Sequence, residues 1–295
     1  MTSVDAIHAF HLQQADVRGQ IVRMESAWQE ILQQTALPSE VERLLGQSLV
    51  ASALFAGALK FEGSLSIHLR NAGELRLLFA ECTHHGYVRG LARCDPDASD
   101  VGVVLTGEQT QLAITIENAH TDTRYQGLVA VESASLAKAF EGYFAQSEQL
   151  PTRIVLASDG RRCAGLIVQR VATSGGSGAT PDEDAWDRIG HLLATLSDRE
   201  LLDLPVEQLL YRLFHDEHVV LHEGRPLAFR CSCSPERVAA MMRSLGQSEA
   251  EAALGSEGLA SVTCEFCNRS YELDTVDVAA LFRESPAIPA SRTEQ

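Results

Sequence analysis

The chain has 295 residues, of which 45% are hydrophobic and 22% charged, so it can bury a core large enough to fold without disulfide bonds. Its 40 acidic and 24 basic residues give a net charge of -16, which repels phosphate backbones and argues against nucleic acid as a partner. Residues 1–20 lack the apolar core of a secretion signal, and the longest apolar run, 49–59, is too short to span a bilayer. These features predict a cytoplasmic protein with no membrane partner.

Residues 1–173 predict an α+β fold, an N-terminal α/β domain built on an antiparallel sheet. A helix-start signal at Pro38 opens a long apolar helix that runs to about Leu59. From 63 to 131, apolar and polar residues alternate with a period of two, which is typical of short antiparallel strands. The other predicted elements are helices at 25–35 and 135–146 and strands at 6–12, 17–23, 64–69, 74–81, 87–93, 111–117, 124–131, 153–157 and 164–171.

Residues 174–225 predict a Gly-rich hinge followed by an amphipathic helical linker. The hinge is the Ser/Gly run 174–178, and a helix start at Pro181 with acids in its first turn follows it. Two helices then carry apolar residues at helical spacing: Trp186, Ile189, Leu192, Leu193 and Leu196 in the first, and Val206, Leu209, Leu210, Leu213 and Phe214 in the second. Because helices this short are not stable alone, we expect them to dock on another surface.

Four of the seven cysteines form two closely spaced pairs in a small C-terminal unit, residues 226–284. One residue separates Cys231 from Cys233, and two residues separate Cys264 from Cys267. Zinc takes four nitrogen or sulfur ligands in a tetrahedron, so two such pairs predict a four-cysteine site that holds Zn²⁺. The unit has little apolar core of its own, and a bound metal supplies the stability that it lacks.

The spacing of the cysteines leaves the role of the metal open. A site with four cysteine ligands has no open position for Lewis-acid chemistry, so a static structural zinc is one interpretation. Thiolates are also the oxidant-sensitive form of cysteine, so an oxidant switch is a second. A third is a thiol-disulfide oxidoreductase that uses Cys264 and Cys267, although a metal would occupy both thiols and no thioredoxin-like βαβ unit surrounds them. A zinc module for nucleic acid is opposed by the negative charge.

Other candidate residues carry no predicted role. The sequence contains no motif of a serine hydrolase, a zinc protease or a dinucleotide-binding enzyme, so we expect no catalytic residues and no enzyme activity. Cys82 and Cys163 lie in strand-like segments as small core residues, and Cys94 lies at a strand end. Three histidines are too loosely spaced for a metal site and fit a solvated helix end: His215, His218 and His222. Residues 285–295 predict a disordered tail.

Two cysteine motifs, FRCSCS at 229–234 and CEFCNRSY at 264–271, pair Cys-x-Cys with Cys-x-x-Cys. N-terminal segments accompany them: RGQIVR at 18–23, KFEG at 60–63, the stretch 76–93, YQGLV at 125–129 and YFAQSEQLPT at 143–152. Over roughly residues 5–283, the chain resembles the redox-regulated holdase chaperones of bacteria, the thirty-three-kilodalton heat shock protein family.

The resemblance implies an ATP-independent chaperone that is inactive when reduced and zinc-bound and that protects against oxidative and heat stress. It implies one zinc ion per chain on Cys231, Cys233, Cys264 and Cys267, and disulfides Cys231–Cys233 and Cys264–Cys267 after oxidation releases the zinc. The oxidised form is implied to be a homodimer that binds unfolding client proteins. We expect the linker helices to supply client-binding residues once they lose their docking surface: Trp186, Leu209, Leu210, Leu213 and Phe214.

Overall fold

The computed structural model describes residues 5–59, 61–70, 75–95, 110–121, 123–129, 131, 135–171 and 184–283. The chain divides into two compact units, Met1–Arg230 and Cys231–Gln295. Within the described residues both units combine helices with antiparallel strands, which confirms the predicted α+β class. The predicted hinge at 174–178 and the predicted tail at 285–295 lie outside the described residues.

The first unit is built on two six-stranded sheets. Its strands are β1 Ala6–Leu12, β2 Val17–Met24, β3 Gly63–Arg70, β4 Leu75–Thr83, β5 Tyr87–Cys94, β6 Gln111–Asn118, β7 Arg124–Val129, β8 Thr152–Ser158, β9 Cys163–Arg170, β10 Val219–Leu221, β11 Arg225–Pro226 and β12 Ala228–Phe229. The first sheet has the order β10-β1-β2-β9-β8, with β11 also paired to β1, and the second has the order β12-β5-β4-β3-β6-β7. The described strand pairs are antiparallel except for β12, which runs parallel to β5.

A long apolar helix fills the space between the two sheets. The described α-helices of this unit are α1 Ser26–Leu32, α2 Ser39–Ala58, α3 Leu136–Ser147, α4 Ala185–Ala194, α5 Asp198–Asp203 and α6 Val206–Phe214. The central one is α2, whose buried residues join those of both sheets in one core, and it confirms the helix predicted from Pro38 to Leu59. Small residues bring its backbone close to the first sheet, since a Cβ at Gly46 would lie 2.0 Å from the Ser158 Oγ.

The opposite face of the first sheet is covered by α4, α5 and α6. Phe10 of β1 packs in a second apolar core with Leu209, Leu213 and Phe214 of α6. The rings of Phe10 and Phe214 lie with their centroids 6.0 Å apart and their planes 26° apart, in a stacked arrangement. The amphipathic helices therefore dock on another surface, as predicted, and that surface is the first sheet. Over its described part, the predicted linker 174–225 is a layer of the first compact unit.

Two arginines, one in strand β2 and one just before β9, hydrogen-bond to the docked helices. Arg23 of β2 donates hydrogen bonds to the carbonyls of Leu201, Leu202 and Leu204 at the C-terminal end of α5. Arg162 also reaches this end, with its Nη1 atom 2.9 Å from the Leu202 carbonyl oxygen. These carbonyls have no partner within their own helix, so the cationic donors satisfy them. The sequence pattern did not predict α5, although a Ser197 capping box opens it.

The second unit is small. Its elements are α7 Pro235–Leu245, α8 Gln247–Ala252, β13 Leu259–Thr263, β14 Ser270–Asp274 and α9 Thr275–Leu281. The two strands form a hairpin, and the buried apolar core of this unit consists of Val238, Met242, Ala250, Ala260 and Val278. A core of this size supports little independent stability. Among the described helices of the chain, none has both the length and the apolar character needed to cross a membrane.

Candidate metal centre

Two local structures bring the cysteine pairs of the second unit together. Cys231 and Cys233 lie in the extended segment before α7, whose N-cap Ser234 accepts a hydrogen bond from the backbone of Arg237. Cys264 and Cys267 lie in the turn between β13 and β14. In that turn the Asn268 N–H donates to the Cys264 carbonyl at 2.8 Å, and the Cys264 N–H donates to the Arg269 carbonyl at 2.9 Å.

The four sulfur atoms form a compact cluster. The Cys231 and Cys264 sulfurs are 3.5 Å apart, the Cys233 and Cys267 sulfurs are 3.4 Å apart, and all four lie within 4.8 Å of one another. Four thiolates around a tetrahedral zinc ion, with Zn–S bonds of about 2.3 Å, have their sulfurs about 3.8 Å apart. The cluster therefore fits a tetrahedral cation with small adjustments of the side chains, and the four predicted cysteines are a group that could hold a metal ion.

The thiols of the cluster differ in acidity. Burial and hydrogen bonds to its neighbours raise the pKa of Cys231 to about 12, and burial also raises the pKa of Cys267. Burial acts in the same direction on Cys233, but hydrogen bonds from the Tyr271 hydroxyl and from the other thiols outweigh it and lower the pKa of Cys233 to about 7. Cys233 therefore becomes a thiolate more readily than Cys231 or Cys267. A divalent cation among the sulfurs favours the thiolate form of every ligand.

Tyr271 is the neighbour of the cluster that the sequence pattern did not single out. Its hydroxyl donates to the Cys233 sulfur at 3.1 Å from the adjacent strand β14. The backbone N–H of Cys233 donates in turn to the Cys231 sulfur at 3.4 Å. Such donors orient sulfur ligands and tune their basicity. The only signal for Tyr271 in the sequence is its place in the CEFCNRSY motif.

The other predicted residues lie in the first unit. Leu209, Leu210, Leu213 and Phe214 are buried against the first sheet, and Trp186 is half-buried with the Arg153 guanidinium 5.7 Å from its ring centre. Their predicted role in client binding stays a prediction.

The three other cysteines lie where the sequence predicts: Cys82 and Cys163 are buried, and Cys94 is the last residue of β5. Among the described residues, the only group with three or more possible metal ligands is the four-cysteine cluster, so the following histidines form no such group: His215, His218 and His222.

The family model of the Hsp33 protein matches residues 5–274 of this chain. The chain belongs to the Hsp33 family. The 33 kDa chaperonin of Nitrosococcus oceani is 38% identical over 293 residues, which cover 99% of each chain. The 33 kDa chaperonin of Azotobacter vinelandii is 41% identical over 285 residues, which cover 96% of each chain. Membership of the Hsp33 family supports a chaperone function.

A solved structure shows the same fold. The crystal structure of the 33 kDa chaperonin (heat shock protein 33 homolog) from Thermotoga maritima matches with a TM-score of 0.76 at 21% identity. The match covers 94% of this chain and 97% of that chain, so the Hsp33 fold extends over almost the whole molecule.

Proposed function

We propose that this Hsp33 family member is an ATP-independent holdase chaperone whose activity is controlled by oxidation of the four-cysteine cluster. In the reduced, metal-bound form it is inactive, and oxidation converts it to a form that binds unfolding proteins and prevents their aggregation. The proposal rests on one observation: four cysteine sulfur atoms lie within 4.8 Å of one another in a unit with a small apolar core. Family membership supports the chaperone part of the proposal.

We assign zinc to the cluster, with Cys231, Cys233, Cys264 and Cys267 as its ligands. Four sulfur donors in a tetrahedral arrangement suit Zn²⁺, and when bound it supplies folding free energy rather than an open catalytic position. In small zinc peptides this apparent contribution is about 10–16 kcal/mol, which is as large as the stability of a whole domain at about 5–15 kcal/mol. A unit with so small a core depends on the metal for its fold.

Oxidation by a peroxide removes the ligands in pairs. Two thiolates give up two electrons, one sulfur–sulfur bond forms, and hydrogen peroxide with two protons becomes two molecules of water. The nearest sulfurs in the folded cluster belong to different sequence pairs. In line with the family resemblance, we propose that the disulfides are Cys231–Cys233 and Cys264–Cys267, which the partners can form once the metal leaves and the unit unfolds because they are close in sequence. Disulfide sulfurs are poor zinc ligands, so the zinc is released.

Unfolding of the second unit also removes order from the chain that precedes it. Cys231 lies two residues after β12, and the short strands β11 and β12 hold the segment after α6 on both sheets of the first unit. With that segment frayed, α4 to α6 separate from the first sheet more easily. Separation exposes two complementary apolar surfaces. One is the inner side of the helices, including Leu209 and Phe214, and the other is the sheet face around Phe10. Both are candidate surfaces for unfolded clients.

The net charge of -16 helps to keep a client complex soluble. In line with the family resemblance, we propose that the oxidised form is a homodimer and that the protein acts in the cytoplasm, where a reducing environment keeps the cluster metal-bound. We assign no catalytic residue and no enzyme activity to the chain.

A light-scattering assay tests this function. A heat-unfolding client enzyme is warmed with the reduced, zinc-loaded protein or with the same protein after peroxide treatment, in the absence of ATP. We expect suppression of aggregation only after oxidation, and its reversal by a reductant. The matched controls are Cys264→Ser, which alters the cluster, and Cys94→Ser, which removes a partly exposed cysteine elsewhere. Equal suppression of aggregation in both redox states would mean that the metal has only a static structural role. No suppression in either state would contradict the chaperone function.

A further inference from the structure

Two histidines meet across the β1–β10 edge of the first sheet. His11 lies in β1, and His222 directly follows β10, where its backbone N–H donates to the Ala9 carbonyl at 2.9 Å. The His11 Nδ1 and the His222 Nε2 atoms are 3.1 Å apart, and the two rings are stacked with centroids 5.2 Å apart. We propose that this pair is a second, weaker zinc site, at which one Zn²⁺ bridges the two imidazoles in place of their hydrogen bond.

The distance between the two nitrogens fits coordination to a common cation. With Zn–N bonds of about 2.0–2.1 Å, two ligand nitrogens lie about 2.9 Å apart at a right angle and about 3.3 Å apart at the tetrahedral angle. The observed separation of 3.1 Å falls between these values. The separation of the two nitrogens therefore matches a bridging ion, and rotation of the rings would turn both lone pairs from their hydrogen bond toward it. A neutral imidazole can move the shared proton to its other ring nitrogen, so zinc binds without a net loss of protons.

The surroundings allow a cation to enter but predict modest affinity. His11 is partly buried and His222 is exposed, so a hydrated ion can reach both rings. The cross-strand neighbour of His11 on β2 is Arg18, whose guanidinium is turned to the Gln169 side-chain oxygen at 3.3 Å. Among the described residues, no third cysteine, histidine or carboxylate completes a ligand group here. Water fills the remaining positions, and the site is weaker than the four-cysteine cluster.

Occupancy of the site would stabilise the attachment of the helical layer, which consists of α4, α5 and α6, to the first sheet. Strand β10 begins two residues after Glu217, the last residue of the short helical turn that follows α6. An ion shared by His11 and His222 therefore closes the β1–β10 edge next to the docked helices. A ligand that binds only the closed edge shifts its opening equilibrium by the factor 1 + [L]/Kd, which is about 11-fold at ten times Kd.

Zinc counting tests the site. Reduced protein carrying one Zn²⁺ per chain is dialysed against a series of buffered free-zinc concentrations, and the bound metal is measured by mass spectrometry. We expect a second zinc ion in the wild type and in the control His215→Asn, which removes an exposed histidine of the same region. We expect one zinc ion in His11→Asn and in His222→Asn. The proposal is overturned if the wild type binds no second zinc or if either variant still binds it.

A second measurement needs no substitution. Ring nitrogen NMR signals of His11 and His222 should shift together as the second zinc binds, and amide exchange over Val219–Leu221 should slow about tenfold at ten times Kd. Shifts confined to other histidines would overturn the proposal even if the variants were misfolded. Because the cluster stays zinc-loaded throughout, failure of this site leaves the proposed oxidation switch untouched.

Discussion

Replacement of Phe214 by alanine tests the docking of the helical layer on the first sheet. Phe214 is fully buried, and its ring stacks on Phe10 with centroids 6.0 Å apart. Truncation of a buried phenylalanine to alanine costs about 3–5 kcal/mol. At about 1.4 kcal/mol for each factor of ten, the equilibrium constant for opening of the layer rises about 100- to 4,000-fold.

The assay is amide exchange of the reduced, zinc-loaded protein, followed by mass spectrometry on peptides that cover α6. We expect Phe214→Ala to lose protection over Val206–Phe214 by at least two orders of magnitude, and to suppress client aggregation partly without any oxidant. The control is Tyr211→Ala on the same helix, since Tyr211 is 70% exposed and its loss should change stability by no more than about 0.5 kcal/mol. Equal protection in the two variants would refute the reasoning, because the packing of Phe214 would then not hold the layer.

Three further predictions concern the cluster and the fastening of α5. Cys264→Ser removes one of four sulfur ligands, so its zinc content after dialysis against a chelator should fall from one ion per chain to near zero, whereas wild type should retain its ion. In zinc-free, reduced protein the second unit unfolds, so alkylation of Cys233 should be half-maximal near the ordinary cysteine pKa of about 8.5, and not near the value of about 7 that the folded cluster gives it. Tyr271→Phe should leave this midpoint unchanged, because its hydroxyl bonds to Cys233 only in the folded cluster; a lower midpoint in wild type than in Tyr271→Phe would show that the unit keeps its fold without zinc. Arg23→Gln loses charged hydrogen bonds to the carbonyls at the end of α5, each of about 1.5–3 kcal/mol, and should lower the amide protection of α5 by tenfold or more, while protection of α2 stays unchanged.

Most elements of the first unit follow from local patterns in the sequence. The alternation at 64–69 predicts a strand, and β3 spans Gly63–Arg70. These patterns fix which side of a strand is apolar, but they do not fix its partners. β2 pairs with β9 across more than a hundred residues of chain, and the single predicted sheet is in fact two sheets with α2 between them. Strand partners depend on long-range packing, which periodicity does not record.

The functional residues also divide into those that local sequence patterns predict and those that depend on long-range packing. The spacing of the four cysteines predicts one site, because two short motifs can each offer two ligands to one ion, and the structure brings their sulfurs together. The sequence does not predict the role of Tyr271, because the contact of its hydroxyl with the Cys233 sulfur depends on how the β13–β14 hairpin packs against the segment before α7. The amphipathic pattern of α6 predicts that the helix packs on another surface. Only the folded structure shows that this surface is the first sheet and that Phe214 stacks on Phe10.

We propose that oxidation of the cluster releases zinc and loosens the helical layer in one event. The most direct measurement follows, on one time course in peroxide, the released zinc with a colorimetric chelator and the amide protection of α6 by pulsed exchange. We predict release of one zinc ion per chain with a matching loss of α6 protection, and suppression of client aggregation that rises with both. Full release of zinc with α6 still protected and with no gain in chaperone activity would contradict the account.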